Sequence, residues 1–139
     1  MPVCLTEDPM HPQNDLDGLR LLLVEDEYVL ALGITDVLVD AGADVLGPVG
    51  SVSDALSLVE QIPEIDAAVL DVNLAGETIY PVADALQARG VPFLFATANE
   101  RAQLPERFAD VPLCHKPFDV ATFRSVLAHL RVPRLPPVA

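Results

Sequence analysis

Three short apolar blocks constrain this chain more than anything else in it: Leu21-Leu22-Leu23-Val24, Ala67-Ala68-Val69-Leu70 and Phe93-Leu94-Phe95-Ala96. Each is too short for a buried helix, and none alternates apolar with polar residues, so each reads as a strand covered on both faces. Strands of that kind belong to parallel sheets, whose crossover helices lie on either side. The sequence between the blocks supplies such helices. From Tyr28 to Ala41 the period changes to that of a helix, with Leu30, Ile34, Val37, Leu38 and Ala41 on one stripe and Gly42 as the stop.

The remaining elements follow the same alternation. Val45 to Val49 is a strand interrupted by Gly47 and Pro48, which suits an edge position. Ser53 is placed to cap a helix carrying Leu56, Val59 and Ile62, ended by Pro63. Thr78 is placed to cap the next, with Val82, Ala85 and Leu86 inward and Gly90 at its end. Pro105 limits the segment Asn99 to Phe108 to a brief helix. Leu113 to His115 is the last strand, and Asp119 caps a final helix with Val120, Phe123, Leu127 and Leu130 on one face. Five strands alternating with five helices predict an α/β fold, a flavodoxin-like (βα)5 doubly wound parallel sheet with strand order 2-1-3-4-5.

The domain organisation expected is a disordered N-terminal tail over 1–17, one globular domain over 18–131 and a proline-rich C-terminal tail over 132–139, with no linker to a further domain. A chain of 139 residues with 51% hydrophobic residues has a core but no room for two domains. The net charge of −13 excludes nucleic acid as a partner, since phosphate binding needs clustered Lys and Arg. Cys4 and Cys114 form no framework of the kind small secreted domains use. There is no signal-peptide pattern and no apolar run of transmembrane length, so a cytoplasmic protein without a membrane segment is expected.

Polar residues stand where the predicted strands run out: Glu25 and Asp26, Asp71, Thr97, Lys116. In an open parallel sheet such groups converge on one crevice. Magnesium takes oxygen ligands and often combines one or two carboxylates with a phosphate. Asp26 and Asp71 are the candidate direct ligands, Glu25 reaches the metal directly or through water, and the Asn73 backbone carbonyl is near enough to join them. Three carboxylates together repel, and a cation relieves that repulsion. Asp71 emerges alone from the central strand and is the candidate nucleophile toward a phosphoryl group, which Lys116 and Thr97 would surround with positive charge and a hydroxyl donor.

These motifs carry a resemblance. Leu22-Leu23-Val24-Glu25-Asp26-Glu27 resembles the acidic-pair motif of response-regulator receiver domains, and Val69-Leu70-Asp71-Val72-Asn73 their phosphoacceptor strand. Ala96-Thr97-Ala98 looks like the switch threonine, and His115-Lys116-Pro117-Phe118 the lysine–proline turn. The likeness runs from Leu19 to Leu130 in four ordered motifs. It implies a single-domain response regulator of a two-component or phosphorelay system, not a metabolic enzyme. Asp71 would be phosphorylated by a histidine kinase or a histidine phosphotransfer protein with Mg2+ held at Glu25 and Asp26. Thr97 and Lys116 would contact the phosphate, and Lys116–Pro117 would be a cis peptide. Output would pass to a downstream protein by binding, by onward phosphotransfer or by draining a kinase as a phosphate sink. The alternative is a degenerate copy that binds a partner without phosphate.

The chain also departs from the common receiver pattern. Leu113 stands where many receivers have Tyr or Phe, and Ala75-Gly76 where many have Pro. Pro92-Phe93-Leu94-Phe95-Ala96-Thr97 resembles the subgroup paired with HWE-type histidine kinases, though Ala98-Asn99 replaces its usual glycine and aromatic. Without a ring at Leu113, the segment Ala98 to Phe108 is the expected moving part of the switch. Two other classes fit less well. An aspartate-nucleophile phosphatase would want Asp where Asn73 stands, and a flavin carrier's phosphate would be repelled by Glu25-Asp26-Glu27.

Overall fold

The computed structural model describes residues 16–74, 76–98, 104–116, 125–127 and 130. Its main sheet has five strands, β1 (Arg20–Val24), β2 (Asp44–Val49), β3 (Ala67–Asp71), β4 (Phe93–Thr97) and β5 (Leu113–His115), in the order β2-β1-β3-β4-β5 with every pairing parallel. This is the predicted flavodoxin-like order. β3 and β4 are buried at all five of their positions, as unbroken apolar strands under two helical layers must be. β2 lies at the edge, where a register shift opposite Leu22 to Val24 accommodates its Gly47–Pro48 cis peptide. Gly47 has φ of +105°, and a Cβ there would stand 2.8 Å from the Leu23 carbonyl oxygen, so only glycine fits.

Helices α1 (Tyr28–Asp40), α2 (Val52–Gln61) and α3 (Tyr80–Ala88) occupy the crossovers. Side chains alternate across each strand, which divides the core in two. Leu21 and Leu23 of β1, Val69 of β3, Leu94 of β4 and Cys114 of β5 pack with Ile34 and Leu38 of α1 and with Leu127 and Leu130. Leu22, Val24, Leu70, Phe93 and Phe95 pack on the other face with Ala55 and Val59 of α2 and Val82, Ala83 and Leu86 of α3. Residues 125–127 and 130 are helical and bring Leu127 and Leu130 into the first cluster. The rest of the predicted last helix, with its cap Asp119 and its apolar Val120 and Phe123, lies outside the described residues, as does Pro117 of the predicted cis peptide.

Several local expectations need correction. The cap of α2 is Ser51, not Ser53: the Ser51 hydroxyl accepts the Asp54 N–H at 3.1 Å from an extended backbone, while Ser53 is already helical. Thr78 caps nothing. The chain after β3 folds back in a two-strand antiparallel ladder, Asn73–Leu74 against Glu77–Thr78, and α3 starts at Tyr80 with Pro81 in its first turn. There the missing proline N–H needs no partner. Leu16 is fully buried and its N–H reaches the Ala41 carbonyl at 3.0 Å. Among the described residues no helix is long and apolar enough to cross a membrane.

Candidate functional site

The carboxyl ends of the strands meet in one open cleft of about 400 Å³, lined by Asp26, Glu27, Asp71, Asn73, Thr97, Ala98 and Lys116. Backbone ladders carry the side chains there. Glu25 N–H continues the β1–β2 pairing to the Val49 carbonyl at 2.9 Å, and Lys116 N–H continues β4–β5 to the Thr97 carbonyl at 2.8 Å. Asp71 lies opposite Ala96 in the β3–β4 register, so Thr97 stands one residue beyond it.

Alternation then sorts the polar residues by face. Glu25, Asp71 and Lys116 each stand two positions after a member of the α1-side core, Leu23, Val69 and Cys114. They therefore project to the same side and meet. Lys116 Nζ lies 3.1 Å from Glu25 Oε1 and 3.2 Å from Asp71 Oδ2. Glu25 Oε2 also accepts from Lys116 Nζ at 3.2 Å and from the Glu27 N–H at 3.2 Å. Thr97, two positions after Phe95, is buried and lines the same cleft.

Glu25, Asp26 and Asp71 each offer a carboxylate oxygen, all within 4.8 Å of one another. Glu25 and Asp71 are buried and Asp26 is exposed at the cleft mouth. Burial, with the Glu25 charge adding to it and Lys116 opposing, pushes the Asp71 carboxyl up to about 7. The charges beside Lys116 raise its ammonium pKa even though burial, the largest single influence, acts the other way. Three carboxylates against one ammonium leave excess negative charge, and the donors are all hard oxygens, which fits a divalent cation such as magnesium.

The ladder after β3 was not foreseen, and it shapes the site. Ile79 N–H donates to the Val72 carbonyl at 3.0 Å, so by antiparallel alternation Asn73 and Thr78 form the pair whose backbone groups point outward. Asn73 N–H accordingly reaches Asp71 Oδ1 at 3.4 Å, and its carbonyl points to the same side. Buried Leu74 and Ile79 hold the ladder down. Gly76, with φ of +88°, is the signal in the sequence that could have revealed this turn.

The segment before β5 is better anchored than its sequence implies. Phe108 is fully buried, with ring centroids 5.4 Å from Phe95 and 5.5 Å from Tyr80. Arg107 makes a two-pronged contact with Asp84 of α3 at 2.9 and 3.0 Å. The described part of the predicted moving segment is thus tied to α3, and residues 99–103 lie outside the described residues. Leu113, opposite Phe95 in the register, is packed against the same aromatic group, whose rings come from α3, β4 and the 3-10 turn Glu106–Phe108.

No family model matches the chain, and neither does any curated protein. Solved structures do. The solution structure of SdrG from Sphingomonas melonis Fr1 is 42% identical over 85% of this chain and 98% of its own, with a TM-score of 0.72. The BeF3-activated conformation of SdrG from Pseudomonas melonis Fr1 is 40% identical over 84% of this chain and 100% of its own, with a TM-score of 0.69. The PhyR response regulator REC domain from Erythrobacter litoralis is 25% identical over 88% and 97%, with a TM-score of 0.76. A common fold, a strand-end cleft holding the acidic group and its lysine, and this level of identity place the chain in the receiver-domain family of two-component response regulators.

Proposed function

We propose that this receiver takes a phosphoryl group on Asp71 from a histidine kinase or a histidine phosphotransfer protein, with magnesium as cofactor, and signals by binding a downstream protein or by passing the group on. The observation that carries the reading is the position of Asp71. It is a buried carboxylate 3.2 Å from Lys116, in a cleft also lined by Asp26, Asn73 and Thr97. In the transfer, an Asp71 oxygen attacks the phosphorus of a phosphohistidine. An O–P bond forms as the N–P bond breaks, and the departing electron pair stays on the imidazole nitrogen.

Asp26, Asp71 and the Asn73 carbonyl are the oxygen set facing the cleft that would hold magnesium, with Glu25 in the same carboxylate group. Bound there, magnesium would neutralise the phosphoryl oxygens and favour the ionised form of Asp71. Lys116 supplies an ammonium to the transferred group, and the Thr97 hydroxyl a hydrogen bond. That the SdrG structure at 40% identity is of a BeF3-activated conformation supports the same chemistry here, because beryllium fluoride mimics an acyl phosphate. A site in the cytoplasm, where the kinase would meet it, is part of this reading.

Incubation with acetyl phosphate and magnesium should add one hydroxylamine-labile phosphate per chain, and Asp71→Asn should abolish it. Full labelling of the asparagine variant would defeat the assignment.

A further inference from the structure

We propose that the chain's own proline-rich segment, residues 132–138, docks in a groove at the end of the sheet remote from Asp71. The groove measures about 460 Å³ and lies where β4 and β5 begin. In a parallel sheet those amino ends lie a strand's length from the cleft described above. Its apolar lining comes from Val91, Pro92 and Phe93 on one side and Val111 and Pro112 on the other. Val91 and Phe93 are buried, whereas Pro92, Val111 and Pro112 are only half-buried. The two prolines have no N–H. Their carbonyls already accept the Ala68 N–H at 3.1 Å and the Phe95 N–H at 2.9 Å. The lining therefore offers little to a strand added by backbone pairing and suits an occupant held by side-chain packing.

Three observations point to 132–138 as that occupant. Leu130 lines the groove and is the last described residue, so the chain after it leaves from the groove's edge. The sequence that follows, Val132-Pro133-Arg134-Leu135-Pro136-Pro137-Val138, has the composition of a polyproline segment. Such a segment loses little entropy when fixed, and it presents Leu135 and Val138 as apolar anchors. Extended at about 3.1 Å per residue, it carries Leu135 roughly 15 Å from Leu130, which is ample to cross a groove of this volume. Charge is the third observation. Arg131 and Arg134 are the only charged side chains from 131 to 139, in a chain with a net charge of −13. On the rim of the groove, Arg107 is held by Asp84 at 2.9 and 3.0 Å. Asp110 on the same rim is exposed, and no described residue pairs with it. Arg134 is placed to meet that acid while Leu135 packs on Phe93. The Phe93 ring lies 5.5 Å from Phe95 and 6.2 Å from Phe108, so the docked segment would buttress the aromatic group that anchors the turn before β5.

The test is NMR on the full chain, dilute and without a phosphodonor, since docking does not depend on phosphorylation. The Leu135 methyl signals should lie upfield of their unstructured positions, under the Phe93 ring, with cross-relaxation to Phe93 and Val111. Asp110→Lys changes only an exposed side chain and should leave the fold intact. It should weaken those cross-peaks by about threefold or more, as reversal of a surface ion pair allows. Combining Asp110→Lys with Arg134→Glu should recover most of the loss. Leu135 methyls at unstructured positions in the wild type would overturn the proposal, as would cross-peaks indifferent to Asp110→Lys. A sample mixing two differently labelled copies should show no cross-peaks between them. Their presence would give the groove to the segment of a second copy and overturn docking within one chain.

Discussion

Replacing Asp71 by asparagine should stabilise the metal-free protein, by an amount that depends on pH. Asp71 is 5% exposed beside Glu25, and its carboxyl lies at about 7 in place of 3.8. An acid with a raised pKa binds its proton more tightly in the folded than in the unfolded state. Stability therefore falls as pH rises from about 4 to about 7 and is level above that. The distance from 3.8 to about 7 is worth at most about 4 kcal/mol, at 1.36 kcal/mol per pH unit. The cleft is open to water, whose screening reduces this, and asparagine forfeits the Lys116 ion pair. About 1–2 kcal/mol is therefore expected above pH 7. For a domain of this size that is a rise of roughly 4–8 °C in Tm. Thermal melts of wild type and Asp71→Asn in EDTA, from pH 4 to 8.5, would read it directly. The two curves should nearly coincide at pH 4, separate through pH 7 and run parallel above. Magnesium should then narrow or reverse the gap, because it stabilises the wild type by mass action. A gap that does not vary with pH, or an asparagine variant less stable at pH 8 without metal, would refute the account of a strained, proton-holding carboxylate.

Phe108→Ala should cost about 3–5 kcal/mol in urea unfolding, since a fully buried ring in contact with Phe95 and Tyr80 would leave a cavity; a loss below about 1 kcal/mol would show that the turn is not part of the core. Beryllium fluoride with magnesium should raise amide protection between Ala98 and Phe108 more than around residues 125–130, as read by hydrogen exchange. The Phe108 amide, bonded to the Pro105 carbonyl at 3.0 Å, should change least within that segment. A response centred elsewhere would move the switch to another part of the receiver.

Much of this molecule was legible before any coordinates. Unbroken apolar strands require cover on both faces, and that requirement alone leads from Leu21–Val24, Ala67–Leu70 and Phe93–Ala96 to a parallel sheet with helices on each side. Once the sheet is parallel, the residues that end its strands must gather at one edge, so Glu25, Asp26, Asp71, Thr97 and Lys116 could be grouped from their positions in the chain. Local turn chemistry was less legible. Ser51 and Ser53 are chemically equal caps, and only the point at which Val52 packs on the core selects between them. Thr78 looked like a cap because nothing next to it in the chain shows that it pairs with Asn73, and only Gly76, in a left-handed conformation, hints at the reversal between them.

Tertiary structure decided what depends on three or more elements at once. The rings of Tyr80, Phe95 and Phe108 gather from a helix, a strand and a 3-10 turn and have no common spacing in the sequence. Adjacent acids look alike in a sequence. Only the pleat of β1, and the heights at which β3 and β5 end in the same sheet, determine that Glu25 meets the lysine while Asp26 faces the cleft.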